Sequence, residues 1–252
     1  EGKARVSVRY EESISAPTQQ IELADPVTYM KLHNEAVLTR DPLGLRPYSQ
    51  EKIESTEKGL HPLLYPATDW YSMLFKDFTN NRRLNFNISG GGKVARYYLA
   101  GTMNRDNGIL EVDRKNNFNN NIKLNRTLLR SNVNINITNT TEVVVRLYGT
   151  FDDYTGPLDS GTGLYNKVMR TNPVLFPAYY QPDERNATTD HILFGNTIDG
   201  NYLNPYADMV KGYKEYANST MIAQFEGNQD LNFIVDGLKA RGLISTTRYS
   251  HF

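Results

Sequence analysis

The stretch Asn85–Asn104, NFNISGGGKVARYYLAGTMN, holds three consecutive glycines followed by a lysine. Such a cluster can cradle phosphate or turn a strand back on itself, and the two outcomes imply different folds. A phosphate loop of the form G-x-x-x-x-G-K-[ST] needs spaced glycines to open the backbone N–H groups and a hydroxyl to bind magnesium. In that frame Asn87 stands where glycine is required and Val94 where the hydroxyl is required. A phosphate loop also opens a helix, whereas the residues after Lys93 alternate. Gly90, Gly91, Gly92 and Lys93 therefore read as a tight turn between two strands.

The flanks support the turn. Before it, Leu84, Phe86 and Ile88 alternate with Arg83, Asn85, Asn87 and Ser89; after it, Tyr97, Leu99 and Met103 alternate with Arg96, Tyr98 and Thr102. The same period of two recurs along the chain. Val6, Val8 and Tyr10 oppose Arg5, Ser7 and Arg9. Leu129, Val133 and Ile135 oppose Arg130, Asn132 and Asn134, and past the turn TNTT, Val143, Val145 and Leu147 oppose Arg146 and Tyr148. Met221, Ala223 and Phe225 alternate with Gln224 and Glu226, and a last strand is predicted over about Arg241–Phe252. This is an all-β, antiparallel signal of about seven strands.

Composition narrows the class. The 252 residues carry 28 basic and 28 acidic side chains, so no net charge draws the chain to nucleic acid. There is no cysteine, hence no disulfide, thiolate metal site or cysteine nucleophile. No run approaches the ~18 apolar residues of a spanning helix, but a membrane strand needs only about 9–11 residues of alternating character. The chain starts without Met, enters a strand almost at once and stops inside another, so it is expected to be a piece of a longer protein.

The connections are lopsided. GGGK and TNTT are short, whereas about 17–80, 105–123 and 155–218 are long. The expected division is a first strand over 1–16, a long loop over 17–80, strands with tight turns over 81–154, a second long loop over 155–218 and further strands over 219–252. Two helices are predicted in the first loop. One starts at Asp25-Pro26; the other runs from Ser49 to Gly59. Short turns at one end and long loops at the other suit a transmembrane β-barrel with polar lumen and lipid-facing exterior. A soluble sandwich or jelly roll also alternates, but its loops are rarely this long at one end only.

Five ordered blocks resemble the SusC/RagA family of TonB-dependent outer-membrane transporters of Bacteroidota. They are YPATDWYSMLFKDF (Tyr65–Phe78), LNFNISGGGKVARYYLAGTMNRDNGIL (Leu84–Leu110), LRSNVNINITNTTEVVVRLYGTFDDYTGP (Leu129–Pro157), NPVLFPAYY (Asn172–Tyr180) and LNFIVDGLKARGLIS (Leu231–Ser245). The opening EGKARVSV is similar to the family's exit from the plug domain into the first barrel strand. The resemblance implies a plugged barrel of roughly 22 strands, gated by TonB and covered by a SusD-like lipoprotein that captures glycans or peptides. On this reading the segment lacks the plug, the TonB box and most of the barrel, and its two unpaired edges require further strands, because lipid cannot satisfy backbone N–H and C=O groups.

Strand parity then sorts the candidate residues. The lumen candidates are Arg83, Asn85, Asn87, Arg96, Tyr98, Thr102, Asn132, Asn134, Arg146 and Tyr148. Lipid candidates include Val6, Val8, Leu84, Phe86, Ile88, Tyr97, Leu99, Val133, Ile135, Val143, Val145 and Leu147. In the first long loop Trp70 and Tyr71 could stack on sugar rings or pack the loop onto the rim. His33, His61, His191 and His251 are scattered, with no pair at metal-ligand spacing, and no nucleophile elbow occurs. No cofactor and no enzymatic activity are expected. The expected function is uptake of oligosaccharides or peptides across the outer membrane; a secreted, soluble β-rich glycan-binding protein is the alternative.

Overall fold

The computed structural model describes residues 2–19, 21–113, 115–200 and 202–252. Its main body is one antiparallel sheet of seven strands. In order across the sheet these are β1 (Gly2–Ser15), β2 (Thr79–Gly91), β3 (Ala95–Asn107), β4 (Lys123–Asn136), β5 (Thr141–Pro157), β8 (Tyr213–Asp230) and β9 (Lys239–His251). Each neighbour is the next long strand in the chain. A small hairpin, β6 (Tyr179–Tyr180) and β7 (Leu193–Phe194), lies in the connection between β5 and β8.

Because every pairing is antiparallel, the turns segregate. Gly92–Val94, Ile137–Thr140 and residues 231–238 close one end of the sheet. The connections 16–78, 108–122 and 158–212 leave from the other. The glycine turn is shorter than the run suggests, since Gly90 and Gly91 already pair with Tyr97 and Arg96 inside the ladder. Gly91 has φ +152°, and a Cβ there would lie 2.5 Å from the Ala95 carbonyl oxygen. Only glycine takes that conformation without strain. Gly91→Val is expected to cost about 1–3 kcal/mol, read as a lower folded fraction on denaturant titration, while Gly92→Val, with open space around its Cβ position, changes little.

Register sets two unlike faces. Directly paired residues share a face, and the pairs Val8–Phe86, Phe86–Gly101, Gly101–Leu129, Leu129–Gly149 and Gly149–Met221 run across six strands. The rows below it repeat the pattern through Ile88, Leu99 and Leu147, then Tyr97, Val133, Val145 and Phe225. These apolar side chains are open: Val6 and Val8 are each 66% exposed and Ile244 is 74% exposed. Phe86 lies over Gly101, where any Cβ would strike its ring. The apolar band also slides along the register. It spans Val6–Tyr10 on β1, Val143–Phe151 on β5 and Ala240–Thr246 on β9. Strands tilted to the plane of the band produce this drift.

The ordinary hydrophobic core lies elsewhere. Trp70, Leu74, Phe75, Leu110, Leu164, Val168, Phe176, Tyr206, Met209 and Val210 are buried together, and all belong to the three long connections. They form a cap at one end of the sheet. Its helices are α1 (Pro26–Arg40), α2 (Gln50–Glu57), α3 (Trp70–Leu74), α4 (Gly161–Val168) and α5 (Pro205–Val210). Asp25 caps α1 by accepting from Val27 and Thr28 N–H, with Pro26 at the first helical position; Ser49 caps α2 by accepting from Lys52 N–H. Where two helices are predicted in the first long connection the structure has three, because α3 is a single capped turn held by tertiary burial rather than by its own period. The third connection, predicted as plain loop, holds α4, α5 and the small hairpin. Among the described residues no helix is long and apolar enough to cross a membrane.

Candidate functional site

The face opposite the apolar band is polar, and the ten parity-selected residues all lie on it. They fall into three groups. On β2 and β3, Thr102 donates its hydroxyl to Asn85 Oδ1 at 2.9 Å and Arg83 Nε donates to Asn104 Oδ1 at 3.1 Å, with Asn87 in the next position. Here the side chains satisfy one another across the strand pair.

Near the short turns a charge network spans β3, β4, β5, β8 and β9. Arg96 meets Glu142 at 2.9 Å, and Asn134 and Asn228 donate to the same carboxylate at 3.1 and 3.3 Å. Glu226 takes Arg146 at 2.6 Å and Arg241 at 2.9 Å, and Asn228 links the two carboxylates by donating to Glu226 as well. Glu142, Glu226, Asn228 and Arg241 lie outside the sequence-derived set, although they share its parity.

Between these groups lies a depression of about 300 Å³ lined by Arg130, Asn132, Arg146, Tyr148 and Gln224. The Arg130 guanidinium stands 5.9 Å from the Tyr148 ring centre, and Tyr148 Oη accepts from Thr150 at 3.0 Å. Tyr98 is paired with Asn132 and flanks it. The wall thus offers guanidinium, amide and phenol groups, which suit hydroxyl, carbonyl and carboxylate groups of a hydrated oligomer. Asn132, Arg146 and Tyr148 are in the sequence-derived set; Arg130 and Gln224 are additions that only register brings alongside.

At the loop end the aromatic pair has unequal roles. Trp70 is 2% exposed; its Nε1 donates to the Asn172 carbonyl at 3.2 Å and its ring stands edge-on to Phe176 at 6.0 Å. Its indole is committed to the cap core. Tyr71 is half-buried, 5.1 Å from the Phe75 ring, and borders a cleft of about 590 Å³ shared with Tyr29, Asp69 and Arg170.

The cap is clasped by two lysines and two aspartates. Lys167 reaches Asp159 at 2.7 Å and Asp208 at 2.5 Å, and Lys211 reaches Asp208 at 2.7 Å. The hydrogen bond from Lys167 holds the Asp159 carboxyl below the usual carboxylate range. Burial works against the Lys167 ammonium, but its bonds to Asp159 and Asp208 outweigh it and raise the lysine. Lys211 is raised by its hydrogen bond to Asp208. A lowered carboxylate contributes stability above its unfolded pKa of about 3.9 and loses it as pH falls through the folded value; a raised lysine contributes below about 10.4 and loses it as pH rises through the folded value. Cap closure is therefore expected to be flat between about pH 5 and 9.5 and to weaken beyond both limits. The emission of Trp70, the only tryptophan in the chain, reports it; a transition near neutral pH would contradict the assignment.

No protein-family profile matches the chain, and no curated protein matches it either. Among solved structures, one chain of the RagAB peptide transporter superposes with a TM-score of 0.54 at 15% identity. It shares its fold with part of that transporter. The match covers 99% of this chain and 29% of the RagAB chain, so all seven long strands fall within the shared region while most of the larger chain lies outside it.

Proposed function

We propose that this chain is a segment of a SusC/RagA-like, TonB-dependent transporter, with its apolar face against outer-membrane lipid and its polar face lining the lumen. The observation that carries the reading is the inverted sheet: an open apolar band on one side, a charged and amide-rich wall on the other. In water such a band demands a covering layer, and a soluble sandwich would supply a second sheet to bury it. Here the two-stranded β6–β7 hairpin is the only other sheet among the described residues, and it belongs to the cap. Strands of 13–18 residues exceed the about 9–11 needed to cross lipid, leaving their upper ends to carry the cap. The likeness to a part of RagAB supports the same architecture, in which further strands pair with the edges of β1 and β9.

On this reading the depression between Arg130 and Gln224 belongs to the lumen wall, and the cap stands at the cell surface beneath a SusD-like lipoprotein. The cargo is an oligosaccharide or a peptide, bound for passage when TonB opens the plug. The test is uptake: cells producing the full-length protein with its lipoprotein partner are offered labelled oligosaccharides and peptides. Uptake of one class that disappears when the TonB box is deleted is the expected result. Recovery of the protein from the soluble fraction, with binding but no uptake, would instead establish the secreted glycan-binding alternative.

A further inference from the structure

One part of the apolar face is not smooth. Ser131, Gly149 and Ala223 leave three low positions on adjacent rows of β4, β5 and β8, among the longer Leu147, Phe151 and Met221. The result is a groove of about 560 Å³ with an almost wholly apolar lining. It reaches β9 at Thr246 and Arg248. Arg248 follows directly after the apolar residues of β9 on the same face, on the side toward the long connections. Among the described residues no carboxylate pairs with it, whereas Arg241, on the opposite face, meets Glu226 at 2.9 Å. Its partner across the ladder is Met221, and the neighbouring outward residues of β8 are Ser219 and Ala223, so on the β8 side no described residue neutralises the guanidinium.

We propose that this groove binds one phosphate-bearing lipid, its acyl chain along Ser131, Gly149 and Ala223 and its phosphate on Arg248. The inference rests on the membrane orientation proposed above. An apolar channel that reaches, at the margin of the band, a cation with no carboxylate partner among the described residues matches a lipid in both chemistry and direction. The chain removes the exposed groove from contact with headgroup water, and the phosphate offers the planar, bidentate pairing that guanidinium favours. A zwitterionic headgroup of the same chain length fills the groove equally but adds a positive charge near Arg248. The preference is therefore for net anionic lipid, as at other basic sites beside a bilayer.

The test is native mass spectrometry of the full-length protein extracted in detergent and offered phosphatidylglycerol or phosphatidylcholine with identical chains. The wild type should retain phosphatidylglycerol about fivefold more than phosphatidylcholine. Arg248→Gln should abolish that preference while still retaining lipid, and Ser131→Leu, which fills the groove from a lipid-facing position, should lower retention of both. Equal retention of the two lipids by the wild type, or a preference that survives Arg248→Gln, overturns the proposal. A homodimer mass without bound lipid overturns it in favour of a second copy on the same face. Failure to recover wild-type protein from the membrane fraction overturns the orientation itself, a result distinct from membrane recovery without lipid selectivity.

Discussion

Arginine in place of Leu99 should, on the membrane reading proposed above, prevent most of the protein from reaching its folded state in lipid, whereas arginine at the adjacent Tyr98 should be tolerated. Leu99 stands in the apolar band, paired with Ile88 and Ser131; Tyr98 stands on the polar face, paired with Ser89 and Asn132. A charged side chain at the lipid midplane costs a barrel about 2–4 kcal/mol, falling to about 0–1 near the interfaces. That gradient separates the membrane reading from a sandwich, since a dry protein core would also reject arginine at Leu99. Met103 lies on the same face of β3, four residues nearer the cap and next in parity to Arg105. Met103→Arg should therefore cost much less than Leu99→Arg. The measurement is the folded fraction by heat-modifiable gel mobility and by denaturant unfolding in lipid vesicles. Equal losses at Leu99 and Met103 would sink the lipid-facing assignment.

The strands were legible because each face carries one chemistry over many residues. The runs around Val6, Phe86, Leu99, Val133 and Val145 each expose the period of two, and register then places them on one side. Strand ends were harder to read. β8 begins at Tyr213, six residues before its predicted start at 219, because Tyr213, Glu215 and Ala217 lie above the apolar band and need no apolar-polar contrast. Parity likewise assigns a face but not a height. Asn132, Arg146 and Tyr148 could be selected from alternation, yet their convergence with Arg130 and Gln224 depends on which residues stand opposite one another. The cap left the weakest trace. Trp70, Leu110, Leu164, Phe176 and Tyr206 meet from three connections, and α3 has only five residues in which to show a period. Asn204 illustrates the kind of constraint involved: it caps α5 and also donates to the Ala178 and Gly195 carbonyls, contacts that no local pattern announces.

On the transporter reading, sheet and cap are stabilised by different solvents, so they should fail separately. The cap buries its apolar residues against one another, as a water-soluble domain does, whereas the sheet turns its apolar side outward. Trp70→Ala removes the indole that packs on Phe176 and bonds the Asn172 carbonyl, and truncations of this kind in a packed core cost about 3–5 kcal/mol. Cap amides in α3, α4 and α5 should then exchange about a hundred- to several-thousandfold faster, the scale of that free energy for local opening. Amides of β3, β4 and β5 within the apolar band should keep their protection, because their backbone partners are untouched. Trp70→Phe keeps an aromatic ring against Phe176 but loses the hydrogen bond, and should fall between the two. On the transporter reading, Trp70→Ala should also abolish cargo uptake while membrane insertion persists, since the loosened cap no longer presents a fixed surface to the lipoprotein. If band amides lose protection together with the cap, the two parts fold as one cooperative unit and the separation is wrong.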